Sequence, residues 1–449
     1  MAERKFTALF EQLKADGVIH ATSLLEPRIF GPHEAARVAD DFAARRVDAI
    51  IIYNSAFPNG QVFPTIALHP QLSRTPVILS ADYEAELGDQ EWTTNAWCGV
   101  VMNNYVAKRI GRYVRPLAGD PASAEYRHEL TMLLNCYRAV SCLRNELLGR
   151  FGDAPSGFHS ATVDQFAYLR TFGTRLETVD LLAVMDTFSS GTATGYLGTV
   201  TFTDADVRAT MDEMRTGRPC YITDELLERG ARLYHALRAQ VQANGFTSIA
   251  MKCWPELGDL IACFPLTWLM TKGDVRAASC ESDCGTAILQ SLASLLSGAP
   301  AACLDFVNYT GRCSCVELGH CGVGIAGEMG DGEAIAYKSP DRQGGSPEHG
   351  PALIGQFAYG PKTGMAITQD ADGTFKMLVF TGESNPETAQ GKKYSAVDIA
   401  MPRYRELSNL ILEHGFPHHL AVAMRDIQQE IAEVCAVLGI ACYSPETLA

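Results

Sequence analysis

The chain has 449 residues, 47% hydrophobic and 20% charged, with a formal net charge of −15. That length predicts two or three domains of ~150 residues each, with enough apolar content for a large core. No Lys/Arg block interrupts the acidic balance, so a nucleic-acid interface, which needs a basic stripe, is excluded.

The N-terminal MAERKFTALFEQLK has no apolar h-region and no small-residue cleavage site, so it does not read as a secretory signal. No apolar run reaches the ~18 residues of a membrane span. The longest candidate, LIACFPLTWLM, is broken by Pro265. The 14 cysteines of so long a chain read as reduced thiols, and the protein as cytoplasmic.

In chain order, His33 to Arg46 has helical spacing, with Pro32 near its start. Val47 to Tyr53 reads as a buried strand, Asn54 as the start of a loop, and Pro76 to Ser80 as a second strand. A mostly helical stretch is predicted from Asn103 to Gly149. A Gly/Pro loop follows Arg150, with a helix around Val163 to Thr171. Leu176 to Met185 continues the α/β pattern. Glu225 to Asn244 is a long amphipathic helix capped by Gly245. Ser248 to Cys253 is a strand that runs into Trp254-Pro255-Glu256.

Val275 to Cys280 reads as another buried strand, with Glu281 directly after it. Ala287, Ile288, Leu292, Leu295 and Leu296 then fall at helical spacing, with Asp283 as the natural N-cap. Ala299 to Leu304 reads as a short strand followed by Asp305. Beyond it the chain turns Gly-rich and alternating. One hairpin is predicted at the turn Asp370 to Gly373, and a last helix opening at His419 and closing at Gly439. The predicted fold is α/β: two Rossmann-like doubly wound domains (1–145 and 146–297, the second carrying Glu281). A mainly antiparallel, barrel-like β domain with a terminal helix (298–449) follows.

Carboxylates at the carboxyl ends of strands lie where open sheets place their ligand crevices. Glu281 and Asp305 together with a distant imidazole suit one divalent cation with an open face. Each acid alone also reads as a satisfied rim carboxylate. His418 and His419 follow Gly415-Phe416-Pro417; placed at a helix start, one ring would stay neutral and able to bind metal. His320 joins either the carboxylates or a zinc knot with Cys313, Cys315 and Cys321, a spacing unlike common fingers. Gly322 to Gly327 matches G-x-G-x-x-G, but EMGDGE follows instead of an amphipathic helix, so no nucleotide loop is read. Lys252 and Trp254 at a strand end, and Arg28 and His159 in loops, could reach the same crevice; surface or core roles are the plainer reading.

LLGRFGDAPSGFHSATVDQFAYLRTFG, KCWPEL, ASCESDCGTAILQSLASLLSGAPAACLDF, GHCG and GFPHH together resemble the L-fucose/L-arabinose isomerase superfamily, closest to its fucose isomerase-like branch. In L-fucose isomerases a Glu, an Asp and a late His hold a divalent metal, usually manganese. The 24-residue interval from Glu281 to Asp305 matches that pattern. The resemblance therefore implies Mn2+ or another divalent cation held by Glu281, Asp305 and His419, with His418 as fallback. His320 takes the place of the further His of L-arabinose isomerases, which use Glu where this chain has Asp305. It implies a metal-dependent aldose-ketose isomerase that moves a proton between C1 and C2 of a sugar through an enediol(ate), with Glu281 and Asp305 as the catalytic pair. Arg28, His159, Lys252, Trp254 and His418 would line the sugar site. A homo-oligomer, hexameric or trimer-based with sites near subunit interfaces, is implied as well. Two other readings stay open at this level. One is a metal-dependent enediolate lyase or transferase, the other a non-catalytic sugar-binding relative. The sugar is not legible, although Arg28, Lys252 and Arg312 are available to an anionic one.

Overall fold

The computed structural model describes residues 2–23, 29–83, 94–162, 164–253, 257, 263–310, 314–331, 335–339, 350–386 and 394–447. The chain forms two compact units, Met1–Ser141 with Glu433–Gly439, and Cys142–Ala432 with Ile440–Ala449.

The first unit holds a parallel sheet of β1 (Ile50–Tyr53), β2 (Val77–Ala81) and β3 (Arg115–Ala118), in that order. All five β2 positions are buried, which is why VILSA reads as an uninterrupted apolar run. The predicted second helix forms as Pro32–Arg45. Pro lies in its first turn, the Glu34 carboxylate accepts from the Gly31 N–H at 3.2 Å, and Arg46 turns left-handed at the end. The stretch read as helical from 103 to 149 contains two helices, Ala96–Arg109 and Ala124–Arg144, with β3 between them. Strand β3 escaped the periodicity because it is four residues long and contains Pro116, tolerated on an edge strand. In the same unit Glu433 accepts hydrogen bonds from the Tyr113 hydroxyl at 2.9 Å and the Tyr137 hydroxyl at 3.0 Å.

The second unit begins with β4 (Leu147–Phe151) and β5 (Arg175–Val179). The hairpin β6 (Thr192–Gly195) and β7 (Gly198–Thr201) follows, then β8 (Ser248–Met251) and β9 (Ala278–Cys280). Strands β5-β4-β8-β9 form one parallel sheet in that order. The chain changes direction across the sheet between β4 and β8, so the segments after these strands border a topological switch point. The helix Asp224–Asn244 matches its prediction to within a residue, with the Thr223 side chain capping one end and left-handed Gly245 the other.

The remainder is a closed barrel. Strand β10 (Ala302–Thr310) pairs with β11 (Cys315–His320), and a small separate ladder joins β12 (Ala336–Lys338) to β13 (Ala352–Ile354). With β14 (Gly360–Gln369), β15 (Phe375–Ser384), β16 (Ser395–Ala400) and β17 (His419–Ala423), the antiparallel order β14-β17-β10-β11-β16-β15 closes back on β14. Strand β18 (Ala441–Tyr443) adds to β15 in parallel. The predicted turn joins β14 to β15, with Gly373 at φ +83°. Among the described residues no helix is long and apolar enough to cross a membrane.

Inside the barrel Gly364 of β14 faces Phe380 of β15, and a Cβ on Gly364 would lie 2.2 Å from the ring's Cζ. Two further ring carbons would be within 2.8 Å, so the ring as a whole must move. Gly364→Ala is therefore expected to cost about 1–3 kcal/mol by overpacking. The expected readout is a lower urea midpoint with an unchanged slope; an unshifted midpoint would show that the ring relocates freely.

Two expectations are corrected. His419 does not open a helix: His419–Ala423 is a barrel strand, and the helix starts only at Gln428, where the Asp426 carboxylate accepts from the Gln428 N–H at 3.2 Å. A five-residue apolar run leading into an amphipathic helix carries no period of its own, and barrel pairing decides it. Asp305 does not follow a strand but lies inside β10, because the apolar run ends where one face becomes solvated, not where the backbone ladder ends. A smaller correction concerns the thiols. Among the described residues Cys315 is disulfide-bonded.

Candidate active site

Strand β9 delivers Glu281 through a strained turn. Glu281 and Ser282 both have positive φ, 58° and 57°, and neither is glycine. Left-handed residues of this kind cost roughly 1–3 kcal/mol each and persist only where the surroundings over-determine them. Ser282 supplies that constraint. Its N–H donates to Met251 O at 3.0 Å, and its hydroxyl to Gly152 O at 3.0 Å. The turn thus bonds to the ends of β8 and β4, and Glu281 projects from the carboxyl edge of the sheet. Such strain concentrates at functional sites.

The barrel brings the partners. Asp305 and His419 are directly opposed in the β10–β17 ladder, and Gly319 opposes Asp305 on its other side in β11. His320, the last residue of β11, is thereby carried to the same rim. Glu281, His320 and His419 converge with their ligand atoms within 4.8 Å of one another, as do those of Asp305, His418 and His419. His419 Nε2 lies 2.9 Å from Glu281 Oε2 and 3.4 Å from Asp305 Oδ1, and His418 Nε2 lies 3.8 Å from that same Oδ1.

These atoms are close without being hydrogen-bonded. His419 Nε2 and Asp305 Oδ1 are both buried and lack a hydrogen-bond partner. Buried polar atoms left without partners at such short separations are groups that a shared cation would satisfy. Two carboxylate oxygens and two or three imidazoles form a hard-to-borderline donor set suited to a first-row divalent ion. The residues present fit the metal that the sequence implied.

The other ring nitrogen of His419 is held. Nδ1 lies 2.9 Å from Asp283 Oδ2. Asp283 also caps the helix Cys284–Ser297, accepting from the Thr286 N–H at 3.0 Å and the Thr286 hydroxyl at 2.8 Å. Burial alone would raise the Asp283 carboxyl, but His419 and Thr286 hold it below the usual range. Burial would likewise lower His419, yet the hydrogen bond to Asp283 and the adjacent Glu281 carboxylate push it up to about 9. His320 also rises well above its usual value against its burial, driven by Cys321 and then by Asp305 and Glu281. The acids demand positive charge, which a proton or a metal ion can supply. His418, half-exposed, is instead lowered, first by partial burial and then by His419.

Five of the residues named from sequence thus meet: Glu281, Asp305, His320, His418 and His419. His159, in the short turn His159–Ala161, lines a neighbouring cavity with His418, Asp283 and Phe416, one step removed from the cluster. Lys252 sits just past β8, its N–H bonded to Phe151 O at 2.8 Å. Arg28, Trp254, Arg312 and Cys313 lie outside the described residues. The knot of Cys313, Cys315, His320 and Cys321 is not supported, since Cys315 and His320 sit at opposite ends of β11. Two contributors went unread. Phe158 packs its ring edge-on to His418, 5.2 Å between centroids, and 5.6 Å from His419. The second role of Asp283 left no trace in the sequence beyond its capping pattern.

No family model matches the chain. Among curated proteins it is similar to sulfoquinovose isomerases. With that of Alkalicoccus urumqiensis it is 24% identical over 86% of this chain and 84% of the relative. With that of Priestia megaterium it is 22% identical over 89% and 86%. With that of Clostridium sp. (strain MSTE9) it is 23% identical over 72% and 70%. Similarity to these relatives over most of each chain supports an isomerase of the aldose-ketose type acting on a sugar, similar to the L-fucose/L-arabinose isomerase-like superfamily.

Proposed function

We propose that this isomerase depends on a divalent cation, manganese by preference, held by Glu281, Asp305 and His419 with His320 beside them, and that its substrate is a sulfonated hexose. The observation that carries the metal reading is the pair of unbonded buried atoms, His419 Nε2 and Asp305 Oδ1, facing each other at 3.4 Å. The sulfonated substrate rests on the names of the relatives.

A bound cation would polarise the sugar carbonyl and lower the barrier to losing the neighbouring carbon-bound proton. The protein's own part is positional and protic. Glu281 and Asp305 approach from the sheet and from the barrel, so one carboxylate can take the proton at carbon while the other moves a proton at oxygen. Phe158 packs against both histidine rings and would help to hold them in place. In this reading residues 146–297 and 298–449 act as two domains closing one site, with Glu281 from the first and the remaining ligands from the second. An exposed apolar stripe on the helix Ala96–Arg109, formed by Trp97, Val101 and Tyr105, supports assembly into a homo-oligomer.

The test is incubation with sulfoquinovose and with neutral aldoses in D2O, with Mn2+ and after chelation. Aldose-ketose conversion with deuterium entering at C1 or C2, lost on chelation and restored by Mn2+, is the expected result. Full turnover in the chelated protein would refute the metal, and exchange with neutral sugars alone would refute the sulfonated substrate.

A further inference from the structure

Behind the active site lies a second convergence of side chains that the isomerase chemistry does not use. Cys253, just past β8, Cys263, ahead of the helix Phe264–Thr271, and Cys280, the last residue of β9, bring their Sγ atoms within 4.8 Å of one another. Cys263 Sγ lies 3.3 Å from Cys280 Sγ and 3.7 Å from the Sγ of Cys321, just past the end of β11. All but half-buried Cys321 are at most 7% exposed. We propose that Cys253, Cys263 and Cys280 form a second cation site, lined by thiolates, that takes a thiophilic divalent ion such as Zn2+, with Cys321 drawn in from beside Cys263 as the fourth ligand.

Geometry carries the case. A single buried cysteine is an ordinary small apolar side chain. Here three, from three separate segments, lie within 4.8 Å of one another, and Cys321, from a fourth, approaches through Cys263 alone, in a group with His320. Tetrahedral thiolate coordination at ~2.3 Å requires sulfur–sulfur edges of ~3.8 Å; Cys263–Cys321 at 3.7 Å matches that edge, and Cys263–Cys280 at 3.3 Å would open slightly as the ion enters. Sulfur ligands select such an ion over manganese, so the two sites would sort their metals by ligand type. Each thiol would release its proton as the ion binds. Cys253 and Cys263 are nine intervening residues apart, so the ion would clamp both ends of that segment. His320 stands between the sites. Its Nδ1 lies 3.3 Å from Cys321 Sγ, while the same ring belongs to the group with Glu281 and His419. A filled thiolate site would therefore fix the His320 ring.

The experiment uses the full-length protein, kept in a thiol-free reductant, stripped of metal and titrated with Co2+. One equivalent should produce the intense near-ultraviolet band of thiolate-to-cobalt charge transfer, which oxygen and imidazole ligands do not give. The band should persist in Glu281→Gln, vanish when Zn2+ is added, and be absent from the double variant C263S/C280S. Because that variant could fail to fold, a second measurement uses the wild type. Zn2+ should slow alkylation of all four cysteines relative to Cys98, read peptide by peptide by mass spectrometry. Absence of the band with no protection, or recovery of a Cys263–Cys280 disulfide in metal-free protein, overturns the proposal. Neither readout uses turnover, so a failure of the isomerase reading in D2O would leave this result standing, and the reverse.

Discussion

Glu281→Gln is expected to leave a folded protein whose turnover falls by ~10²–10⁴, the range for losing a positioned acid or base. The loss would be larger if the cation also leaves. The substitution is close to isosteric, and Gln can occupy the left-handed backbone that Glu281 already adopts at φ 58°. The hydrogen bonds that constrain this turn come from Ser282, not from the Glu281 side chain. Fold and chemistry are therefore separable at this position. The urea midpoint should stay near wild type while deuterium incorporation collapses. Asp305→Asn should behave alike, since that side chain also directs an unbonded oxygen into the cluster. If the Gln variant exchanged solvent deuterium at the wild-type rate, neither the ligand role nor the protic role assigned to Glu281 would survive.

What the sequence revealed and what it hid follow from the kind of signal each residue emits. Glu281 was legible because a charged residue interrupts an apolar strand just before a capped helix, and both features are local. Asp305 was legible as a candidate ligand but not as part of a strand. A barrel strand with one wet face continues past its apolar stretch, and the sequence marks only where the apolar stretch stops. For His419 the residue was read while its element was mistaken, with consequences for the electrostatics. A helix N-terminus would have kept the ring neutral by its dipole; a buried strand beside Asp283 and Glu281 pushes it up to about 9 instead. The cysteine convergence was invisible because its members come from the sheet and the barrel, and nothing in their spacing relates Cys253 to Cys321. The β3 strand and Phe158 were missed for the simpler reason that four residues and one aromatic side chain make no pattern.

The contact between Asp283 and His419 makes a second large prediction, in which substitution by Asn and by Ala should differ. An ionised carboxylate only accepts hydrogen bonds, so His419 keeps a proton on Nδ1, facing Asp283 at 2.9 Å, and a cation would displace the second proton, the one on Nε2, that the ring carries below about pH 9. In Asp283→Asn one oxygen remains, and the helix cap to the Thr286 N–H at 3.0 Å can keep it. The amide NH2 then faces His419. The ring must accept at Nδ1 and carry its proton on Nε2, the nitrogen that the cation needs. The expected outcome is a 10–100-fold weaker Mn2+ affinity, by direct titration, with little change in the urea midpoint, as is typical for an outer partner of a ligating histidine. Asp283→Ala should lose the same affinity and also about 0.5–2 kcal/mol of stability, because the cap goes with it. Equal Mn2+ affinity in Asp283→Asn and wild type would mean that Asp283 does no more than cap its helix. In that case His419 would have to be oriented by the β10–β17 ladder alone, which fixes its backbone opposite Asp305 but not which of its nitrogens carries the proton.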